Sequence, residues 1–184
     1  MEQANNREET PKTVLYKYMC QQIERLSADT NEARAESALW RHSAGRAPGE
    51  IPELFGKFIS SFPEGLKSSS GWMNGAMNAA WLALTLFVLS GKNHSKDISL
   101  GKAAGSSENI HKRLLAVEET EDISDLGAPI RAVVKLIASG KSNNCIDFAR
   151  LATDLMYWPL HRLRIVREWE SDAALASSSA AKAK

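Results

Sequence analysis

The 184-residue sequence has few of the residues and motifs on which catalytic and metal sites depend. Its only two cysteines, Cys20 and Cys145, form no CxxC or Cys/His cluster, so no zinc site is predicted. None of the four histidines has a second His or Cys at ligand spacing. No phosphate-binding glycine motif, HExxH or GxSxG occurs either. We therefore expect no catalytic residue, no metal and no cofactor, and we interpret the cysteines as reduced thiols of a cytoplasmic protein.

Neither sign of charge is in clear excess. The chain has 23 Lys and Arg against 22 Asp and Glu, a net charge of +1. A free-standing nucleic-acid-binding domain is usually more basic than this. Contact with nucleic acid would thus require basic residues clustered on one face, or further charge supplied by a complex.

Strand patterns are also missing. Six prolines and 11 glycines are few for an all-β chain, and apolar residues recur at spacings of three and four. The sequence predicts an all-α fold of two small helical bundles, with about eight or nine helices and no sheet.

We place a disordered tail at 1–10, the N-terminal bundle at 11–91, the C-terminal bundle at 92–172 and a second disordered tail at 173–184. The polar N-terminus does not resemble a signal peptide.

Helix starts are predicted at several polar residues. Thr10 precedes a proline, Asp29 or Thr30 precedes the second helical pattern, and Asn143 or Asn144 precedes the last ones. A break with a restart is expected at Trp158-Pro159.

One uncharged segment, 71–91, permits two interpretations. Its strongly apolar part is about half as long as the ~20 residues that a membrane span needs, so we favour a buried core helix. The basic residues that follow, Lys92 and Lys96, keep a membrane-associated protein open as an alternative.

Acidic residues provide no reaction centre by themselves. The cluster from Glu118 to Asp125 lacks the ligand pattern of a calcium loop and is interpreted as a solvated connection. Asp147 and Asp154 have the spacing of one helical face, but no His, Lys or metal partner accompanies them in the pattern.

Basic residues are more informative. Residues 92–113 contain five Lys or Arg against two acidic residues, and the last helix carries Arg162, Arg164 and Arg167. Long cationic side chains at helical spacing suit contacts with phosphates. The same pattern also fits a solvated helix face with intramolecular ion pairs, and spacing alone does not decide between the two.

The order of short segments is what distinguishes this chain. They resemble, in sequence order, the motifs of the CasB family, the small subunit of the type I-E CRISPR Cascade complex. The matching segments are ISLGKA at 98–103 (family SLGRAL), NIHKRLL at 109–115 (ERRFxxLL), IRAVV at 130–134 (LRRLV), DFARL at 147–151 with Asp154 (vDWaxLaxDL), and YWP at 157–159 with 164–169 (WWP…RRxWaxdF). Upstream, ALWR at 38–41 resembles AxLRR.

The resemblance implies an all-α protein without nuclease activity. Family members lie along the Cascade complex, usually as two copies, and contact neighbouring subunits. They help to hold the hybrid of crRNA and target DNA and the displaced non-target strand. The implied partners are the other Cascade subunits, crRNA, target and non-target DNA and a second copy of this chain, with no membrane and a cytoplasmic location.

Basic positions carried over from the motifs, with two from the last helix, give the candidate nucleic-acid-binding residues. These are Arg41, Lys102, Lys112, Arg113, Arg131, Arg150, Arg162 and Arg164. The chain departs from the family pattern at Trp40, Glu108 and His111, which puts the exact contact set in question. For Arg131 and Arg150, ion pairing between domains or subunits is an equally supported alternative.

A second function from another class is also compatible with the pattern. A stand-alone helical adaptor that binds only protein partners would show the same amphipathic helices. An enzyme has the least support, because no constellation of the sequence can carry out a reaction.

Overall fold

The computed structural model describes residues 9–68, 73–122, 125–140 and 145–182. Within these ranges the chain forms eight α-helices and no sheet, so the all-α prediction is confirmed. The helices are α1 Pro11–Ser27, α2 Asn31–His42, α3 Pro52–Ser61, α4 Gly75–Leu89, α5 Leu100–Ala104, α6 Glu108–Glu118, α7 Gly127–Ser139 and α8 Phe148–Lys182. A 3-10 turn, Glu64–Leu66, precedes α4. Most of the predicted N-terminal tail, residues 1–8, lies outside the described residues.

Polar side chains begin several of the helices. Thr10 and Thr30 accept hydrogen bonds from the backbone N–H groups of Thr13 and Ala33, as the sequence predicts. Asn74 caps α4 in the same way. Asn74 therefore marks the residue at which the buried helix of segment 71–91 starts.

Helix α4 lies in the centre of the molecule. It contacts α1, α2, α7 and α8, and nearly all of its residues are buried. Burial on every side explains why the segment is apolar all round rather than amphipathic. Among the described residues, no helix has the length and apolarity needed to cross a membrane.

Helix α8 is the longest element and joins most of the others. It packs against α1, α4, α5 and α6, and its backbone leaves helical geometry at His161, where φ is −134°. Pro159 lies two residues before this point, so the break occurs slightly later along the chain than the sequence predicts. One apolar cluster joins side chains from both halves of the chain, including Leu15, Phe87 and Trp169. The division into two bundles at residue 91 remains a prediction.

The C-terminal segment differs from the prediction of a disordered tail at 173–184. Helix α8 continues through Lys182, and Ala173 is fully buried. The Ser177 hydroxyl donates a hydrogen bond of 2.8 Å to the carbonyl oxygen of Gly105. Packing against α5 thus offsets the weak intrinsic order of an Ala/Ser-rich sequence.

Two glycines let α5 meet α8 backbone to backbone. A Cβ atom placed on Gly101 would lie 2.1 Å from the carbonyl oxygen of Trp169, and one on Gly105 would lie 2.3 Å from that of Ala173. No real Cβ atom fits at such distances. The four-residue spacing of the glycines therefore sets how closely the two helices approach.

We predict that Gly101→Ala lowers the free energy of unfolding by about 1–3 kcal/mol, because the added methyl group forces α5 away from α8. Urea unfolding followed by circular dichroism measures the change. Gly56→Ala is the control, since a Cβ at Gly56 within α3 meets nothing within 4 Å. It should leave stability unchanged or raise it by up to ~1 kcal/mol. Equal stability of Gly101→Ala and the unmodified chain would refute the close contact.

Candidate nucleic-acid interface

Three arginines of α8 line one surface recess of about 340 Å³, which we name the α8 recess. Its lining consists of Arg150, Arg164, Arg167, Glu168, Ser171 and Asp172. The kink at His161 separates Arg150 from the other two arginines along the helix. Three guanidinium groups against two carboxylates leave this recess with a positive balance.

The carboxylates of the recess hold the arginines in place. Arg150 Nη2 lies 3.4 Å from Asp172 and 3.9 Å from Glu168, and Arg164 Nη1 lies 3.3 Å from Glu168. Asp172 also accepts a hydrogen bond from the Ser99 hydroxyl, which caps the start of α5. All three ion pairs are partly exposed, so each contributes little to stability and can be exchanged for other anions.

Asp147 fixes the beginning of α8 and with it the position of Arg150. Its Oδ1 accepts hydrogen bonds from the backbone N–H groups of Ala149 and Arg150, at 3.1 and 3.0 Å. The predicted caps, Asn143 and Asn144, lie outside the described residues, and among those described Asp147 caps Phe148–Lys182. Burial raises the pKa of Asp147, although its hydrogen bonds oppose that shift.

Lys102 belongs to the surface next to the α8 recess. It lies on α5, whose cap residue Ser99 contacts Asp172 of the recess. Its side chain is exposed, and within the described ranges Nζ donates only to the backbone oxygen of Asp97, at 3.3 Å. The ammonium group is therefore available for an external phosphate.

The remaining exposed candidates lie on other helices. Lys112 and Arg113 are on α6, where Lys112 pairs with Glu108 at 2.7 Å. Arg41 is on the last turn of α2. Within the described residues, neither Arg113 nor Arg41 has an ion-pair partner.

Arg162 has intramolecular partners. Its Nη1 donates a 2.7 Å hydrogen bond to the carbonyl oxygen of Glu118 at the end of α6, and Nη2 lies 3.7 Å from Glu121. The guanidinium group caps the C-terminus of α6, which is a typical role for a cation. Its side chain is only 27% exposed, so it is less accessible than the arginines of the α8 recess.

Arg131 is separated from the other candidates by its surroundings. It lies on α7 and lines a different pocket, between the end of α2, α4 and the first turn of α7. We name this the Arg131 pocket. The α8 recess thus brings together only two of the eight candidates, Arg150 and Arg164, with Arg167 as a further member. The sequence signal for Arg167 was its three-residue spacing from Arg164, which places the two on one helical face.

Glu118 is an exception within the acidic cluster, which the sequence suggests is solvated. Only 7% of Glu118 is exposed, and its Oε1 has no hydrogen-bond partner in the part of the chain that the structure describes. Burial, and then the neighbouring Glu170 carboxylate, raise its pKa to about 8. Glu170 in turn contacts His111 Nε2 at 2.9 Å. Glu118, Glu170 and His111 join α6 to α8, and their surroundings favour the protonated form of the Glu118 carboxyl group.

The described residues contain no group of three or more His, Cys, Asp or Glu side chains that could hold a metal ion.

Comparison with known proteins gives the family. A model for CRISPR-associated protein Cse2 matches residues 34–172, which contain all eight candidate residues. The chain belongs to the Cse2/CasB family. Proteins of this family are non-catalytic structural subunits, so this chain is the small subunit of a type I-E Cascade complex in CRISPR defence.

Individual relatives agree with this assignment. The CRISPR-associated protein Cse2 of Thermus thermophilus is 27% identical over 149 residues, which cover 79% of this chain and 82% of that protein. The crystal structure of CasB from Thermobifida fusca has a TM-score of 0.70 at 23% identity, covering 88% of this chain and 98% of the other. For CasB from Thermus thermophilus the TM-score is 0.66 at 21% identity, with 90% and 99% covered. At these identities, the two structures show that this Cse2/CasB protein shares their fold.

The buried carboxyl group of Glu118 predicts a pH dependence of stability. A pKa raised from 4.5 to about 8 means that the folded state holds the proton more tightly than the unfolded state. The resulting stability is fully present below pH 4.5 and is lost as the pH rises through about 8. Glu118→Gln should therefore flatten the decline of unfolding free energy over this range. Urea titrations at several pH values measure it, with the exposed Glu119→Gln as control. An unchanged slope in Glu118→Gln would contradict the assignment.

Proposed function

We propose that this Cse2/CasB protein stabilises the R-loop of its Cascade complex by contacting phosphates of the displaced non-target strand. The arrangement of Arg150, Arg164 and Arg167 around the α8 recess is the observation that carries this proposal. Lys102 extends the positive surface along α5. Neighbouring Cascade subunits and the hybrid of crRNA and target DNA complete the proposed surroundings, together with a second copy of the chain.

The energetics of an R-loop allow a small contribution from protein contacts to have a large effect. Exchanging the DNA duplex for the hybrid is nearly balanced in base-pairing energy, so protein contacts with the backbone can decide the outcome. Contacts with phosphates carry no sequence information, and an accessory subunit must accept every target sequence. A few exchangeable guanidinium groups therefore suffice, and a base-reading element is not required.

The ion pairs of the recess favour a role inside an assembly. Before they contact a phosphate, Arg150 and Arg164 must give up, or share, their contacts with Glu168 or Asp172. With a net charge of +1, the isolated chain has little long-range attraction for DNA. We therefore expect weak binding by the free subunit and useful binding only where the complex presents the strand.

Lys112, Arg113 and Arg41 have a smaller place in this proposal. They are exposed but lie on α6 and α2, outside the α8 recess. We expect them to make independent contacts with strands or neighbours. Arg162 is expected to act through α6, because its guanidinium group caps that helix.

The test is R-loop formation by the assembled complex that carries the double variant Arg164→Gln with Arg167→Gln. The displaced strand should reanneal faster, because two phosphate contacts are lost. The slope of log K against log salt should fall by about 0.7 per lost contact, the value for single strands. Permanganate reactivity of the displaced strand at several salt concentrations measures both effects. Lys102→Ala should act in the same direction with a smaller change.

Arg34→Gln is the matched control. Arg34 is an exposed arginine on α2 that pairs with Asp29, outside the α8 recess. It should leave R-loop lifetime and salt dependence unchanged. If the double variant and Lys102→Ala behave like the unmodified complex while every subunit is retained, the strand-contact proposal is wrong.

A further inference from the structure

The Arg131 pocket has a volume of about 490 Å³ and is distinct from the α8 recess. Its walls come from the last turn of α2 and the loop after it, from α4, and from the start of α7. The lining residues are Ser43, Gly45, Arg46, Ala47, Pro48, Asn78, Trp81, Leu82, Thr85, Gly127, Ala128 and Arg131. Two of them are arginines, and none is acidic.

Arg131 lacks the partner that a partly buried guanidinium group needs. Its Nε is inaccessible to solvent and has no hydrogen-bond partner, and no acidic side chain of the described residues forms an ion pair with it. Buried polar groups are almost always satisfied, and burial of an unpaired charge is costly. The second guanidinium group, Arg46, lies 3.9 Å from Glu50, which is not part of the lining.

The start of α7 adds to the positive character of the pocket. Gly127 and Ala128 are its first two residues and line the pocket. Leu126 occupies the N-cap position, and no side-chain hydrogen bond caps this end. A helix N-terminus carries a partial positive charge. The guanidinium group of Arg131 and this helix end therefore favour the same single anion.

We propose that the Arg131 pocket receives an acidic side chain, Asp or Glu, from another protein chain of the assembled Cascade complex. A carboxylate can accept two hydrogen bonds from the terminal Nη1 and Nη2 groups of a guanidinium, and for those of Arg131 no partner is found among the described residues. The proposal deepens the proposed function, on which it rests, by giving Arg131 a protein partner rather than a DNA strand.

The apolar part of the lining favours a protein side chain over a nucleotide. Ala47, Pro48 and Leu82 present hydrocarbon surface beside the arginines. The one aromatic residue of the lining, Trp81, is 5% exposed and packs against Trp40, so no free ring face is available to stack on a base. Protein–protein interfaces combine an apolar centre with arginine anchors, whereas nucleic-acid interfaces are more polar and more basic.

The experiment compares Arg131→Met and Arg131→Lys in the complete complex with crRNA and without DNA. Retention of the subunit is measured by native mass spectrometry over a dilution series. Arg131→Met should weaken retention by at least about tenfold, since truncating one partner of a buried pair is costly. Retention of Arg131→Lys should lie between that of the unmodified chain and that of Arg131→Met, because lysine keeps the charge but cannot form the paired contact. Binding of single-stranded DNA to the isolated variant should be unchanged.

Arg34→Met is the control, because Arg34 is an exposed arginine of α2 that lies outside the Arg131 pocket and is not a candidate binding residue. It should leave retention unaltered. The isolated Arg131→Met chain should be at least as stable as the unmodified chain, because the variant removes an unpaired charge. If Arg131→Met unfolds instead, retention is compared only between Arg131→Lys and the unmodified chain.

A photoreactive residue at Ala128, an exposed position of the lining, identifies the occupant. Crosslinking to an acidic peptide of another protein chain would support the proposal. Crosslinking to crRNA or DNA, or normal retention of Arg131→Met with loss of DNA binding, would overturn it. If the unmodified chain fails to join the complex, the proposed function is refuted instead. This outcome is measured on the complex assembled with the unmodified chain and not on a variant.

Discussion

The direct backbone contact between α5 and α8 is the constraint on which the α8 recess depends. Gly101 and Gly105 leave room for the carbonyl groups of Trp169 and Ala173, and any side chain there would separate the helices. Only at this distance does Ser99 reach Asp172, which also holds Arg150. The two small residues of α5 thus determine where basic side chains far apart in sequence come together. They also explain how α8 keeps its helical form towards the C-terminus.

Around this contact, α8 carries acidic groups in contrasting environments. Asp172 and Glu168 remain partly exposed and pair with arginines. Asp154 is buried, and burial raises its pKa to about 6 even though Trp169 Nε1 donates a hydrogen bond of 3.0 Å to it. The exposed carboxylates of Asp172 and Glu168 orient guanidinium groups. The buried carboxylate of Asp154 forms a hydrogen bond with Trp169 on the other side of the kink. The helix is therefore both the frame of the core and the support of the α8 recess.

Periodicity and capping residues predicted most of the helices, because local side-chain bonds such as that of Thr10 begin them. The ordered motifs pointed to the family. Contacts between residues that are distant in sequence could not be predicted from the pattern. The burial of Glu118 depends on α8, and the order of Ala173 depends on the glycines of α5. Likewise, a basic motif position does not reveal whether its side chain faces solvent, as in Arg164, or a helix end, as in Arg162.

The carboxylates beside the arginines of the α8 recess have a consequence for competition inside the cell. A strongly basic small subunit would be drawn to the large excess of chromosomal DNA, since phosphate contacts do not distinguish one duplex from another. Here, Glu168 and Asp172 contact the guanidinium groups of Arg150 and Arg164 and compete with any strand. Under the proposed function, base pairing by the guide supplies that strand at high effective concentration. Selectivity for the target then arises from timing and location, and the subunit needs no sequence preference of its own.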